Sequence, residues 1–344
     1  MRDMPEYRLS VLDQSPIAEG RTAADAIADT IDLARHADAL GYHRYWVAEH
    51  HASPALAGAT PEALIGPIAQ ATTRIRVGSG GIMLPHYSPF KVAETFALLS
   101  ALAPGRIDLG LGRAPGGDGR IMLALQRDRS RRMPHDDFPN NLAELLAYFD
   151  GTLPEDHPFA PLADTLPSGG GTPDIWLLGS SMDSALWAAE AGLPYCFADF
   201  INPEGAAMTA EYRARFKPSA RLAQPHTMVA SWVIAAENAE TAARLGKPAA
   251  MLGALLRRNV LIPVPAIETA EEWLDNNPAA LSTRKRRVIH GTPAECRTAL
   301  DDVAREYGAD EMMLVNIMAD HEARRDSYRL VAEEYGLASR AKAA

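Results

Sequence analysis

Four short runs hold residues whose types and spacing suit chemistry. Glu49-His50-His51 offers a carboxylate beside two imidazoles, groups that move protons near neutral pH or bind a metal ion. Side chains on an extended segment point alternately to opposite sides, so adjacent histidines are poorly placed to chelate one metal, and no metal site is expected. One histidine then serves as a proton donor or as a polar wall of a small-molecule pocket; the alternative is a pair of hydrogen-bonded structural histidines. Gly78-Ser79-Gly80-Gly81 lets a flat ligand approach the backbone or accommodates an unusual peptide geometry. Arg113, within Gly112-Arg113-Ala114-Pro115-Gly116, has the planar fork that clamps a phosphate or the edge of a ring. Gly179-Ser180-Ser181-Met182-Asp183-Ser184 puts hydroxyls and amide donors where a helix starts, which attracts an anion and equally suits ordinary capping.

The surrounding elements must position these runs. Short apolar stretches begin at 8, 45, 75, 107, 175, 195, 228 and 311, and helical periodicity fills the intervals, as at 22–40, 61–71, 91–102, 182–191 and 293–307. Eight strands alternating with helices predict an α/β fold, a closed (β/α)8 TIM barrel whose active site lies at the C-terminal ends of the strands. The four runs follow the second, third, fourth and fifth strands. A doubly wound sheet is the rival architecture. Its dinucleotide fingerprint should follow the first strand, where Asp13-Gln14-Ser15-Pro16 stands instead, and Gly110-Leu111-Gly112-Arg113-Ala114-Pro115-Gly116 has the wrong final spacing. Residues 151–173 hold five prolines and four glycines, which reads as a long loop. Residues 246–289 break the alternation and read as an insertion or lid before the last strand, within a single domain spanning 1–344.

Composition limits the functions available. A chain of 344 residues with 47% hydrophobic residues builds a large core, and a net charge of −10 argues against general nucleic-acid binding. Two cysteines, Cys196 and Cys296, supply neither a disulfide framework nor a four-thiolate zinc site. Residues 1–10 lack an apolar signal core and no membrane-length apolar run occurs, so a cytoplasmic protein is expected. The basic groups at 127–132 and 284–287 are solvated charge or part of a lid that steers an anionic cofactor.

Taken together, these residues resemble the bacterial-luciferase-like flavin monooxygenases. The similarity runs through essentially the whole chain and is densest in Gly-Tyr-His-Arg-Tyr-Trp-Val-Ala-Glu-His-His (41–51), Arg-Val-Gly-Ser-Gly-Gly-Ile-Met-Leu-Pro (76–85) and Pro-Gly-Arg-Ile-Asp-Leu-Gly-Leu-Gly-Arg (104–113). The resemblance implies a (β/α)8 homodimer that uses reduced FMN and O2 to oxygenate a small organic substrate through a C4a-peroxyflavin. No NAD(P)H module is recognisable, so a separate NAD(P)H:flavin reductase is the implied partner. His50 matches the family's histidine near flavin and substrate, with Glu49 beside it. Gly80 and Gly81 fall where the family has a non-proline cis peptide under the flavin ring. Arg113 matches a flavin-contacting arginine, and Gly179, Ser180, Ser181 and Ser184 match the flavin-phosphate turn. Luciferase itself carries a carboxylate at the position of Ser180; its absence here favours a phosphate dianion and argues against light emission. The same fold also serves the deazaflavin F420 in hydride transfer, and a non-catalytic flavin-binding protein is the third reading. Met83, His86, Tyr87, Phe197, Phe200 and Met318 are candidates for an apolar substrate pocket or plain core.

Overall fold

The structure, a computed structural model, describes residues 7–114, 119–125, 137–282 and 287–337. The first half runs β1 (Arg8–Asp13), α1 (Ala23–Leu40), β2 (Arg44–Val47), α2 (Pro61–Ala71), β3 (Arg76–Met83), α3 (Pro89–Leu102) and β4 (Ile107–Gly112). There follow α4 (Gly119–Leu125), α5 (Phe138–Asp150), α6 (Ala160–Ala163), β5 (Asp174–Gly179), α7 (Met182–Glu190), β6 (Tyr195–Phe197), α8 (Ala206–Arg215) and β7 (Thr227–Ala235). The last part holds α9 (Ala239–Leu245), α10 (Lys247–Leu256), α11 (Ile267–Asp275), α12 (Ala279–Ser282), β8 (Val288–Gly291), α13 (Pro293–Tyr307), β9 (Glu311–Val315) and α14 (His321–Glu334).

Strands β1 to β7 pair in sequence order, β9 fits between β7 and β1, and all these pairings are parallel, which closes an eight-stranded barrel. The ring strands are the eight apolar stretches expected from the sequence. β8 was not among them: it has four residues and pairs outside the ring with the far end of β7, Trp232 opposite Val288 and Ala235 opposite Gly291. A second difference lies in β3, which does not stop before Gly78 but continues through the glycines to Met83, with Gly80 opposite Gly110. Residues 151–173 carry only the single-turn α6, whereas 246–289 contain α10, α11 and α12 and lead into β8. Among the described residues no helix is long and apolar enough to cross a membrane.

Local signals explain several boundaries. α1 and α13 each begin with a capping box, Thr22 with Asp25 and Thr292 with Glu295, and each ends at a glycine in the left-handed conformation, Gly41 and Gly308. The barrel interior packs Leu12, Trp46, Trp176, Met228, Met313 and Val315. A larger apolar layer lies between the strands and the helices around them.

At the N-terminal end of the barrel the interior is ionic. Arg44 is buried, with Nη1 2.9 Å from Asp108 Oδ2, Nε 3.1 Å from Glu311 Oε1, and its guanidinium 4.6 Å over the Trp176 ring. Trp46 Nε1 donates to Asp108 Oδ2 at 2.9 Å, and Ser10 donates to Glu311. Burial alone would raise the Glu311 carboxyl, but Arg44, His226 and Ser10 bring it down to about 2. Removing one partner of such a pair leaves charge buried and uncompensated. Arg44→Met is therefore expected to destabilise the fold by about 3–5 kcal/mol in urea unfolding; an unchanged midpoint would show that Asp108 and Glu311 find other partners.

Candidate active site

A cavity of about 760 Å³ opens at the C-terminal end of the barrel. Gln14, His50, His51, Phe200, Trp232 and Ile317, each just past or near the end of a ring strand, form one side of it. Leu252 and Leu256 of α10, with Leu261 beyond, form another, so the segment 246–289 supplies a wall. Among the described residues no carboxylate lines this cavity, although the chain carries 44 of them. Such a chamber suits an apolar or electron-rich ligand and disfavours a cationic one.

His50 and His51 both face the cavity, contrary to strict alternation. The reason is local: β2 ends at Val47, and Ala52 takes a φ of 49°, so the tripeptide is not extended strand. Glu49 is fully buried and pairs with His51, not with His50: His51 Nε2 lies 2.7 Å from Glu49 Oε1, and the Met83 amide donates to Oε2 at 2.9 Å. The Tyr87 hydroxyl hydrogen-bonds to both Glu49 and Glu62, and burial raises the Glu62 carboxyl and the Tyr87 phenol. His50 has no such partner; its Nδ1 is buried without a hydrogen bond, and burial, reinforced by His51, pushes its pKa down to about 4. His50 is thus a neutral imidazole at neutral pH.

The peptide between Gly80 and Gly81 is cis, at the place the resemblance indicated. The neighbouring protein demands glycine here. A Cβ on Gly80 would stand 2.6 Å from Leu12 Cδ1 and 3.1 Å from Trp46 Cβ, and one on Gly81 would stand 2.7 Å from the Gly110 carbonyl oxygen. Glu49, bonded to Met83 at the end of the same strand, ties this bed to the histidines.

On the β4–β5 side, Ser181 takes the N-cap position of α7, and its hydroxyl lies 3.5 Å from the Ser184 hydroxyl without capping a backbone amide, which leaves the first-turn amides to other acceptors. Ser180 and Ser181 are half-buried, while Met182 and Asp183 are exposed. Arg113 reaches the same helix end, with Nη1 3.3 Å from Asp183 Oδ2 and the guanidinium 5.0 Å over the Trp187 ring. Ser184 differs from its neighbours. It is buried, its hydroxyl donates to the Ser181 carbonyl at 2.8 Å and lies 2.9 Å from the Tyr195 hydroxyl, so it builds the turn from within. Gly179 makes that possible, because a Cβ there would lie 2.1 Å from Ser184 Oγ.

The structure therefore brings Arg113 together with residues 179–184, and Glu49 together with His51 and the end of β3. It does not place Arg113, the glycine bed or the serine turn on the cavity lining. The link between the two regions is the β6 loop, where Phe200 and Ile201 line the cavity and Asn202 donates to the Ser180 carbonyl at 3.2 Å. Of the pocket candidates only Phe200 lines the cavity; Met318 packs beside Trp232, Phe197 is core, and Tyr87 and His86 stand behind His51. Residues 127–132 and 284–286 lie outside the described residues. Arg287 is anchored, 3.0 Å from Glu306 and 3.7 Å from Asp199. No group of His, Cys, Asp and Glu able to hold a metal occurs among the described residues. Sequence reasoning missed the Glu49–His51 pair, although residues two apart share a face, and it missed Trp187 beneath Arg113.

The sequence pattern of the luciferase-like monooxygenase family matches residues 7–311. The chain is 41% identical over 327 residues to a luciferase-like monooxygenase of Escherichia coli (strain K12), covering 94% of this chain and 96% of that one. It is 39% identical over 330 residues to the N-acetyl-S-alkylcysteine monooxygenase of Bacillus subtilis (strain 168), covering 95% and 97%. Among solved structures, apo-MsnO8 superposes with a TM-score of 0.87 at 38% identity over 96% of this chain and 98% of that chain. Two more distant structures share the fold alone. One is the oxygenating constituent of 3,6-diketocamphane monooxygenase from Pseudomonas putida in complex with FMN, with TM-score 0.72, 19% identity and coverage of 96% and 97%. The other is an F420-dependent secondary alcohol dehydrogenase with an F420–acetone adduct, with TM-score 0.66, 16% identity and coverage of 96% and 99%.

The neutral state of His50 has a measurable consequence. Its ordinary pKa of 6.5 falls to about 4 in the fold, so between these values the unfolded chain binds a proton that the folded chain does not. Stability must then drop as pH falls through that window. His50→Gln is expected to flatten the drop by up to about 1.4 kcal/mol per pH unit in denaturant titrations. His43 is also pushed down to about 4 and stays in both proteins, so the difference between them reports His50. Parallel stability curves would mean that His50 charges inside the fold.

Proposed function

We propose that this chain, which belongs to the luciferase-like monooxygenase family and is an oxygen-incorporating oxidoreductase, works with reduced FMN delivered by a separate NAD(P)H:flavin reductase and oxygenates a small organic substrate. The observation that carries the reading is the uncapped start of α7 with Arg113 stacked beside it. A helix N-terminus with free amides favours a phosphate, and the guanidinium adds a forked cation. Arg113 and Asp183 are 39% and 59% exposed, so their ion pair is weak and the arginine can be shared with an incoming anion.

In this reading the amides of residues 180–184, the Ser180 and Ser181 hydroxyls and Arg113 bind the phosphate, and Ser184 shapes the turn from inside. The cis Gly80-Gly81 segment beds the ring. Reduced FMN supplies the two electrons that activate O2, and the remaining tasks fall to the protein. The apolar wall from α10 excludes water and covers the substrate, and neutral His50 stands against it as a polar contact. Glu49 holds the ends of β2 and β3 in register. Delivery of reduced cofactor by another protein is supported by the location of the nearest glycine-rich fingerprint, whose Gly110 and Gly112 lie inside β4. A cytoplasmic homodimer belongs to the same proposal, with Leu98 and Leu102 exposed on α3 as apolar contact surface.

Parallel fluorescence titrations of the purified protein with FMN, FMNH2 and F420, together with mass spectrometry of co-purified ligands, test the reading. FMNH2 is expected to bind. Gly179→Ala, which drives a methyl group into Ser184, should weaken it by about tenfold or more. Absence of affinity for either form of FMN, or preference for F420, would overturn the proposal.

A further inference from the structure

The α10 side of the cavity carries a fixed positive charge. Arg257, the C-cap of α10, folds back over Gly253 one turn earlier: a Cβ on Gly253 would lie 3.8 Å from Arg257 Nη1. Arg257 Nη2 donates to the Ala280 carbonyl of α12 at 3.2 Å. Gly253 and Ala280 both line the cavity, as Arg257 does, so the guanidinium lies on the cavity wall between two small residues. The next residue turns elsewhere. The Arg258 guanidinium stands 5.8 Å over the Trp273 ring of α11, and neither of these two residues lines the cavity. We infer that the substrate is an organic acid, an apolar body with one carboxylate or sulfonate head, and that Arg257 is the residue that selects it.

The lining suits both halves of such a molecule. Leu252, Leu256, Leu261 and Phe200 offer apolar surface to the body. A carbonyl is uncharged, so the bond to Ala280 orients the Arg257 guanidinium without neutralising it, and the forked N–H donors match a pair of oxygens. The end of α10 also favours a cation, because the last helix carbonyls point there. Arg120 of α4 adds a second guanidinium to the lining, and among the described residues no carboxylate of the lining competes for either. His50 is neutral at neutral pH and His51 already faces Glu49, so these arginines are the fixed positive charges of the described lining. A chain with a net charge of −10 does not draw anions in general, which makes this wall a local feature. At the strand ends buried Gln14 contributes a neutral amide, so the end of the molecule remote from Arg257 is uncharged.

This assignment rests on the proposed use of the cavity as the substrate chamber. It gives the molecule two separate anion positions: the cofactor phosphate at Arg113 and the start of α7, which do not line the cavity, and the substrate head at Arg257, which does. Carboxylate and sulfonate share the charge and the paired oxygens that a guanidinium takes. A neutral amide of the same body gains the apolar contacts alone, and an amine meets like charge.

Titration calorimetry on the full chain at about pH 7.5 compares octanoate, octanesulfonate, octanamide and octylamine, whose alkyl bodies are alike. At least one of the two anions should bind about tenfold or more tighter than octanamide, and octylamine should bind weakest. Arg257→Gln should bring anion and amide within about threefold of each other, and Arg257→Lys, which keeps the charge but not the fork, should retain part of the preference. Arg258→Gln, which removes the same charge one residue along, and Arg113→Gln should both leave the preference intact. In the unaltered protein, raising salt from about 0.05 to 0.5 M should narrow the gap between anion and amide, a reading that holds even where Arg257→Gln does not fold. Equal affinity for anion and amide, tightest binding of octylamine, failure of both anions to bind, or a gap indifferent to salt overturns the inference. So does a preference that survives Arg257→Gln, or one lost in Arg113→Gln instead, which would put the head at the phosphate turn. Failure of FMNH2 to bind would strike the cofactor proposal alone, since the probe titrations need no cofactor.

Discussion

One buried cation organises this barrel. Arg44, at the start of β2, lies between carboxylates contributed by β4 and β9 and over the ring of Trp176 from β5. Four of the eight ring strands thus meet at a single guanidinium, which fixes how they stagger. Attraction at short range in a low-dielectric interior is directional, whereas the aliphatic layer above it tolerates many arrangements. At the opposite end Asp13, the last residue of β1, accepts from buried Arg324 of α14, from Tyr45 and from the Ser15 amide. That second ion pair joins the first strand to the last helix.

The ionic base communicates with the site through packing. Trp46 donates to Asp108 below, and above it crowds Gly80, where a Cβ would stand 3.1 Å from Trp46 Cβ and 2.6 Å from Leu12 Cδ1. The glycine bed is therefore set by the barrel itself rather than by a ligand. Glu49, two residues beyond β2, then binds the end of β3 through Met83 and one of the two cavity histidines. Side chains placed in this way inherit the rigidity of the strands that carry them, as a site that must hold angles closely requires.

Much of the arrangement was legible beforehand because buried parallel strands are written as short apolar runs, and the eight ring strands all are. The four chemical runs could be placed at strand ends for the same reason. β8 escaped because four edge residues leave no alternation to read, and the continuation of β3 through its glycines escaped because glycine usually breaks strands; only the close approach of β4 makes it necessary. The cavity wall was visible as an interruption between strands but not as a wall, since where α10 lands depends on packing across the barrel mouth. The sequence marks Arg113 as a candidate anion contact, yet its platform, Trp187, sits on a helix whose rotation no local pattern reveals. Glu49 and His51 were separable from His50 by spacing alone, had the bend at Ala52 not obscured which histidine faced which way.

The position of β8 has a further consequence. β7 is nine residues long; its residues up to Trp232 complete the hydrogen-bonded circle, and Trp232–Ala235 hold β8, so that only Trp232 serves both. The segment bearing α10 to α12 is thereby moored to the end of β7 on one side through β8 and follows it on the other through α9, and none of the ring's strand pairings lies within the segment. A change in the length or lining of that segment would therefore reshape the cavity wall without reopening the cylinder beneath it.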